Sequence, residues 1–304
     1  MTVTLSPKQF LRKNIIEGIA NKQLEQQLDF KDVFDVVFTD AVSVAYSEDT
    51  TTAGDDITDG TMGTPLDMGE LSELSTIEVS QITQKAGMLK PFGYQIKVSE
   101  RDIRRSEVID ELARAVDRAA FGMAKKINDD IVTRLEAVSN DMTEVAGGAA
   151  WSADTADPIK DLVSFQEAMD LEGFPYQLTD LFLHKTNFYE LKKHMLGIDR
   201  SWAMDPTGGQ KDVPNLLGVN IHNTHSSQLS ESNIIGLDSR PGYRGMTIYA
   251  YRPPEMAGRP ESQMINVYQY KEEKYPHNVV TEFVSEIFPA LKVPNAVYYM
   301  AAAV

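Results

Sequence analysis

Apolar residues recur at helical spacing over one long stretch. Val108, Leu112, Val116, Ala119, Met123, Ile127, Ile131 and Leu135 step by three or four, which predicts an amphipathic helix. No proline interrupts it and Gly122 is its only glycine. Ser99, with Asp102 three residues on, has a capping-box pattern, and Ser106 is a second candidate cap. Asp110 with Arg114, and Asp130 with Arg134, place acid before base at i,i+4. About 30 residues rising ~1.5 Å each give roughly 45 Å, longer than the usual globular helix. The stripe is one residue wide over much of that length. The helix is therefore expected to lie across a surface rather than inside one.

Upstream, Ser6–Leu28 reads as a second amphipathic helix, with Ser6 as N-cap, Pro7 at the first position, and Phe10, Leu11, Ile15, Ile19 and Leu24 at helical spacing. Asp29–Ala45 carries Val33, Phe34, Val36, Val37, Phe38 and Val42 in short strand or helix pieces. Tyr46–Gly69 is rich in Thr, Asp and Gly without apolar period, and reads as an exposed loop. Leu71–Gly87 is extended on its β-branched residues. In Pro91–Val98, Phe92, Tyr94, Ile96 and Val98 alternate with Gly93, Gln95 and Lys97, a strand with one buried face. These two extended segments, joined through Lys85–Lys90, are expected to pair as a long hairpin projecting from the body.

Downstream, Ser139–Thr155 is a Gly/Ala-rich connection and the best domain boundary. Asp157-Pro158 opens a helix with Ile159, Leu162, Val163 and Met169 inward, stopped by Gly173 and Pro175. Leu178–Leu183 is a short apolar strand, and Thr186–Met195 a helix with Phe188 and Leu191 inward. Gly197–Pro214 is a second loop. Strands are expected at Leu217–His222, Asn233–Leu237, Met246–Tyr251, Met264–Tyr270, Val279–Ile287 and Ala296–Met300.

Charge narrows the partners. The chain has 29 Lys and Arg against 45 Asp and Glu, a net charge of −16. Twelve of the carboxylates fall between Asp32 and Gln84, where there is no Lys or Arg. A nucleic-acid reader needs clustered cations to displace counterions from phosphates; only Lys8, Arg12, Lys13 and Lys22 form a loose group. The acidic run is either a solvated loop or an extended arm that meets cations on a neighbouring subunit. With no cysteine there is no disulfide, thiolate metal site or cysteine nucleophile. Met1–Gly18 has no signal-peptide pattern, and the apolar stretch Val293–Val304 is short and broken by Pro294 and Asn295.

Catalytic constellations are not found. His222 and His225 are three apart in a strand-to-loop region and would need a carboxylate from elsewhere to hold a metal. His184 ends a buried strand and reads as a packing residue; His194 and His277 stand alone. Asp55–Gly60 opens like a calcium loop but puts Ile57 and Leu66 at ligand positions. Gly208–Lys211 lacks the spacing and the hydroxyl of a phosphate loop. Tyr243, Tyr249, Tyr251, Tyr298 and Tyr299 sit at strand spacing and read as core or interface residues. No catalytic, cofactor or metal residue is assigned, and no cofactor is expected.

The long helix, the protruding extended segments, the N-terminal arm and the glycine-rich loops each expose surface that neighbours would cover. The order of elements resembles the major capsid proteins of tailed double-stranded DNA phages and their archaeal relatives. Three stretches carry the resemblance: Gly93–Ile103 running into the helix to Glu136; Asp157–Val163 with Gly173–Pro175, Leu181–His184 and Phe188–Leu191; and Leu216–Ile221 with Val293–Val297. It covers the chain from about Leu71 to the end.

The resemblance implies an α+β fold with a long spine helix, an extended β-hairpin loop and a mixed α/β axial domain. It implies an N-terminal arm at 1–45, an extended loop at 46–91, a peripheral domain at 92–150 and 259–304, and an axial domain at 151–258. Met264–Ile287 and the C-terminal strand would share the peripheral sheet. The implied function is non-enzymatic: a subunit forming pentamers and hexamers of an icosahedral shell around double-stranded DNA, touched only weakly and non-specifically, with no membrane. Scaffolding, portal and decoration proteins are further partners it admits, and the virion, assembled in the host cytoplasm, is the implied location. Lys85 and Lys90 lie where some members crosslink to an Asn, but no partner or catalytic Glu is evident, so that chemistry is not carried over. The segment before the first strand is short for a fused scaffold, so a separate scaffolding protein or none is expected. The alternatives are an encapsulin-type nanocompartment shell, kept open by the Ser6–Leu28 helix, and a soluble enzyme with an unrecognised carboxylate site.

Overall fold

A computed structural model describes residues 13–30, 32–49, 82–99, 108–137, 143–148, 151–153, 156–171, 176–198, 215–224, 226, 228–231, 233–254, 264–272 and 278–301. The helices are α1 (Lys13–Gln27), α2 (Val108–Ala137), α3 (Pro158–Leu171) and α4 (Lys185–Ile198). The strands are β1 (Asp35–Thr39), β2 (Ser43–Asp49), β3 (Ile82–Met88), β4 (Lys90–Ser99), β5 (Thr143–Ala146), β6 (Asp180–Leu183), β7 (Asn215–Leu216), β8 (Val219–Asn223), β9 (Asn233–Leu237), β10 (Met246–Tyr251), β11 (Asn266–Lys271), β12 (Asn278–Leu291) and β13 (Val297–Ala301). The expected caps Ser6 and Ser106, the stops Gly173 and Pro175, and most of the expected loops at Tyr46–Gly69 and Gly197–Pro214 lie outside the described residues.

β12 is the axis of the first sheet. β4 pairs along one side of it; β11 and then β10 pair along the other, and β1 adds in parallel to β10. Fourteen residues make β12, about 48 Å at ~3.4 Å each, which matches the roughly 45 Å expected of α2. Phe283, Ile287 and Leu291 point from β12 into a core with Val116, Met123, Ile127, Ile131 and Leu135 of α2 and Ile16, Ala20 and Leu24 of α1. The buried face of α2 is wider than the single stripe: Ala120, Ala124, Asn128 and Val132 are buried too, because α1 packs along its flank. Asn21 locks α1 in place, its Nδ2 donating to Ile265 O (3.1 Å) and its Oδ1 accepting from Ile265 N (2.9 Å). Asn128 accepts from Asp29 N and donates to Gln27 O, closing the C-terminus of α1. The expected pair of Asp130 with Arg134 does not form: Asp130 pairs with Lys126, and Arg134 reaches Tyr46 on β2 instead.

The second sheet runs β5-β13-β9-β6-β8-β7. Its central strands are apolar on both faces, as the period of two requires when each face meets a separate core. Leu181, Leu183, Ile234, Tyr298 and Met300 face α3 and α4, with Leu162, Phe165, Met169, Phe188 and Leu191. Phe182, Ile235, Leu237 and Val297 face the α2 core. At Gly236 a β-carbon would lie 2.0 Å from the Phe165 ring, so only glycine fits. Phe165 rather than Val163 completes the inward stripe of α3; Val163 is 46 % exposed, about 100° off the line of Leu162, Phe165 and Met169. Leu217 and Gly218 form the positive-φ turn between β7 and β8, not the start of a strand.

Two expectations fail on strand pairing. The segments before and after Lys85–Lys90 do not pair with each other. β3 pairs with β2, and β4 with β12. Only Leu89 separates β3 from β4; one residue cannot reverse a strand, and Leu89 is buried with its N–H on Val42 O at 2.9 Å. Tyr46–Asp49 is consequently strand rather than loop, and Tyr46 is buried. The second failure is β13, which joins β9 and β5 rather than the sheet of β11 and β12. Lys292 and Val293 both donate to Gly245 O, and a 3₁₀ turn at Pro294–Ala296 carries the chain across to β9.

Candidate assembly surfaces

The β2–β3 ribbon is rooted at one end of β12. The Tyr46 and Phe288 rings lie 5.8 Å apart, and a β-carbon at Gly87 would strike the Phe288 ring at 2.1 Å. Tyr46 accepts a hydrogen bond from Arg134 Nη2 at 3.0 Å, tying the ribbon to α2. Lys85 is held 2.6 Å from the buried Glu48. Lys85 and Glu48 thus form a cross-strand ion pair. Lys90 is exposed at the start of β4.

Among the described residues β4 pairs on one edge only. Beside it, Tyr94, Gln95, Ile96, Arg114, Ala115, Arg118 and Ala119 line an open groove of about 510 Å³. Tyr94 crosses α2 at Gly122, where a β-carbon would meet its hydroxyl at 2.6 Å. On the exposed side of α2, Arg114, Arg118, Phe121 and Lys125 fall at i, i+4, i+7 and i+11, one face of a helix. Phe121 is 48 % and Tyr94 51 % exposed. Among the described residues Arg118 and Lys125 make no ion pair; the side chain of Asp110, the expected partner of Arg114, lies outside them. The apolar period that reveals α2 does not reveal this stripe; its signal is the complementary polar period.

The opposite face of the first sheet is a polar lattice. Gln95 donates to Tyr270 Oη (3.1 Å) and Glu282 (2.9 Å), and Tyr270 donates to Glu282 (2.9 Å). Lys97 lies 2.6 Å from Glu272, which also accepts from Asn278 at 2.8 Å. The hydrogen bond and charge of Glu272 raise the Lys97 pKa, and Lys97 with Asn278 lowers that of Glu272.

In the second sheet His222 Nε2 is 2.7 Å from Asp180 Oδ1, and its ring stacks on Phe182 at 4.7 Å. Asp180 also accepts from Thr179 Oγ1 (2.8 Å) and Asn220 Nδ2 (3.3 Å). Burial pushes the Asp180 carboxyl upward, but hydrogen bonds with His222, Ser239 and Thr179 outweigh it and hold it below the ordinary range. The cluster clamps β6 to β8. His184 Nδ1 accepts from Thr186 N at the start of α4, and His194 Nε2 is 3.9 Å from Asp157, whose Oδ1 caps α3 through Lys160 N. His225, His277, Asp55–Gly60 and Gly208–Lys211 lie outside the described residues. Among the described residues no three His, Cys, Asp or Glu side chains gather as a metal site, and no helix is long and apolar enough to cross a membrane. Tyr298 is buried against Phe165, and Tyr243 stacks with Arg240.

A long helix laid on a β12-centred sheet, an α/β unit beside it and a ribbon at its end make up the shell-subunit fold of tailed-phage capsids. Solved structures of low sequence identity share it. The virus-like particle from Pyrococcus furiosus matches with a TM-score of 0.58 at 9 % identity, covering 94 % of this chain and 97 % of that one. The capsid of a native GTA particle matches with a TM-score of 0.59 at 18 % identity, covering 91 % and 90 %. Mycobacterium phage Adephagia matches with a TM-score of 0.54 at 13 % identity, covering 92 % and 91 %. No curated protein matches the chain significantly. The family described as phage capsid protein matches residues 82–279, and the chain belongs to that family. It is a structural capsid subunit, not an enzyme, and its place is the virion.

Proposed function

We propose that this subunit forms rings of five and six that tile an icosahedral shell around double-stranded DNA, assembling in the host cytoplasm. The observation that carries this reading is the family match, which runs from the ribbon strand β3 through α2 to the start of β12. Heterologous contacts between identical copies close into rings, and a ribbon rooted at one end on the first core supplies such contacts. Residues 1–45 act as arm, 46–91 as the extended loop lying over an adjacent copy, 92–150 and 259–304 as the peripheral unit, and 151–258 as the axial unit. The two units interleave: β10 belongs to the sheet of β12, while β5 and β13 cross to that of β6, β8 and β9. No observation favours the nanocompartment or the enzyme.

Electron microscopy of particles from expressing cells, followed by nuclease treatment, tests this reading. Closed shells that protect DNA are expected when the packaging machinery is present. Shells that enclose protein cargo and never DNA would overturn it.

A further inference from the structure

We propose that the pocket at the root of the ribbon is a binding site for a free oxyanion of the phosphate or sulfate type. The half-buried Arg134 of α2 lines it. Arg134 Nη2 donates to the neutral phenol of Tyr46 at 3.0 Å, while its Nε is buried with no hydrogen-bond partner. Among the described residues its guanidinium makes no ion pair: Asp130, one turn back, pairs with Lys126. Glu48, two residues from Tyr46 and so on the same face of β2, is held by Lys85 at 2.6 Å. A guanidinium drawn out of water needs a counter-charge and an acceptor for each donor it turns inward. Lys90, exposed at the start of β4, lines the same pocket and adds a second cation.

Size and surroundings select the ligand. The pocket measures about 230 Å³, well above the ~30 Å³ share of one water and below the ~300–1,000 Å³ of pockets that take larger organic ligands. A tetrahedral oxyanion with part of its hydration shell fits that space. Ile287, Phe288 and Pro289 form apolar walls, which lower the local dielectric and strengthen the attraction between an anion and the two cations. Thr133 donates its hydroxyl proton to Asp129 O at 2.7 Å, and the Asp130 carboxylate is neutralised by Lys126. Arg134 and Lys90 therefore set the charge of the site. Because Nε is buried, the ligand is an ion that enters the pocket whole rather than a phosphodiester held on a duplex. Bound there, the ion joins β4 to α2 beside the Tyr46 contact, and so fixes the base from which the ribbon leaves the body.

The test is equilibrium dialysis of the full chain against labelled inorganic phosphate, with chloride holding the ionic strength constant. Saturation at one ion per chain is expected, with sulfate competing and double-stranded DNA of equal phosphate content not competing. Arg134→Gln is expected to abolish binding. Lys90→Gln is expected to weaken it about tenfold, as the loss of a charge-assisted hydrogen bond does. Arg118→Gln, outside the pocket, is expected to leave it unchanged. Circular dichroism checks that each variant is folded; should Arg134→Gln fail to fold, the exposed Lys90→Gln decides. Phosphate uptake that never saturates overturns the proposal, as does saturation of equal affinity in Lys90→Gln or in a folded Arg134→Gln. Displacement by DNA as readily as by sulfate overturns the assignment to a free ion.

Discussion

At the scale of single residues, the fold is fixed by a few positions where one side chain forbids all others. Gly236 faces the Phe165 ring in the α3 core, so Gly236→Val overpacks that core. It is expected to cost about 1–3 kcal/mol, read as a lower midpoint in denaturant. Ile127 is 1 % exposed in the middle of α2. Ile127→Asp leaves an unpaired charge in the larger core and is expected to destabilise by about 3–5 kcal/mol; a near-neutral midpoint would mean that this stripe is not buried. Asp180 gives a pH signature. Its folded pKa lies below the unfolded value of about 3.9, so its contribution is complete above that value and is lost as pH falls through the folded one. Asp180→Asn should therefore cost about 2 kcal/mol at neutral pH, and the gap to wild type should narrow below about pH 4.

At the scale of elements, the sequence reveals what period can carry. The strands Asn233–Leu237 and Met246–Tyr251 lie where their apolar runs put them, and the eight-residue apolar series of α2 ends two residues from the observed terminus. Pairing is a different matter, since it depends on which edges meet. Nothing in Ile82–Met88 says that its partner is Ser43–Asp49, 33 residues upstream at the closest ends, rather than Lys90–Ser99. The clue was Leu89, a single residue where a hairpin needs at least two. The Arg114–Lys125 stripe was hidden for another reason: exposed cations on an amphipathic helix are common. The ribbon makes a clear prediction. Asp49 and Ile82 are paired, so an Asn-Gly turn can replace 50–81 and close the hairpin. That chain should keep its circular dichroism and thermal transition but fail to form particles. Loss of the transition would place the segment within the fold.

At the scale of the molecule, α2 serves two layers at once. One flank backs β12, and its C-terminal half also packs on Phe182, Ile235 and Val297 of the second sheet. Polar clasps reinforce that seam: Asp129 accepts from Ser226 Oγ at 2.7 Å, and Glu136 from Ser230 N and Asn233 Nδ2. Both cores thus form within one chain, while among the described residues the ribbon and the outer edge of β4 are left without a pairing strand. Sedimentation velocity of the purified full chain over rising concentration tests that division most directly. Conversion from subunits to rings and closed particles, suppressed by high salt, is the result this account requires; a single monomeric species at every concentration and ionic strength would contradict it.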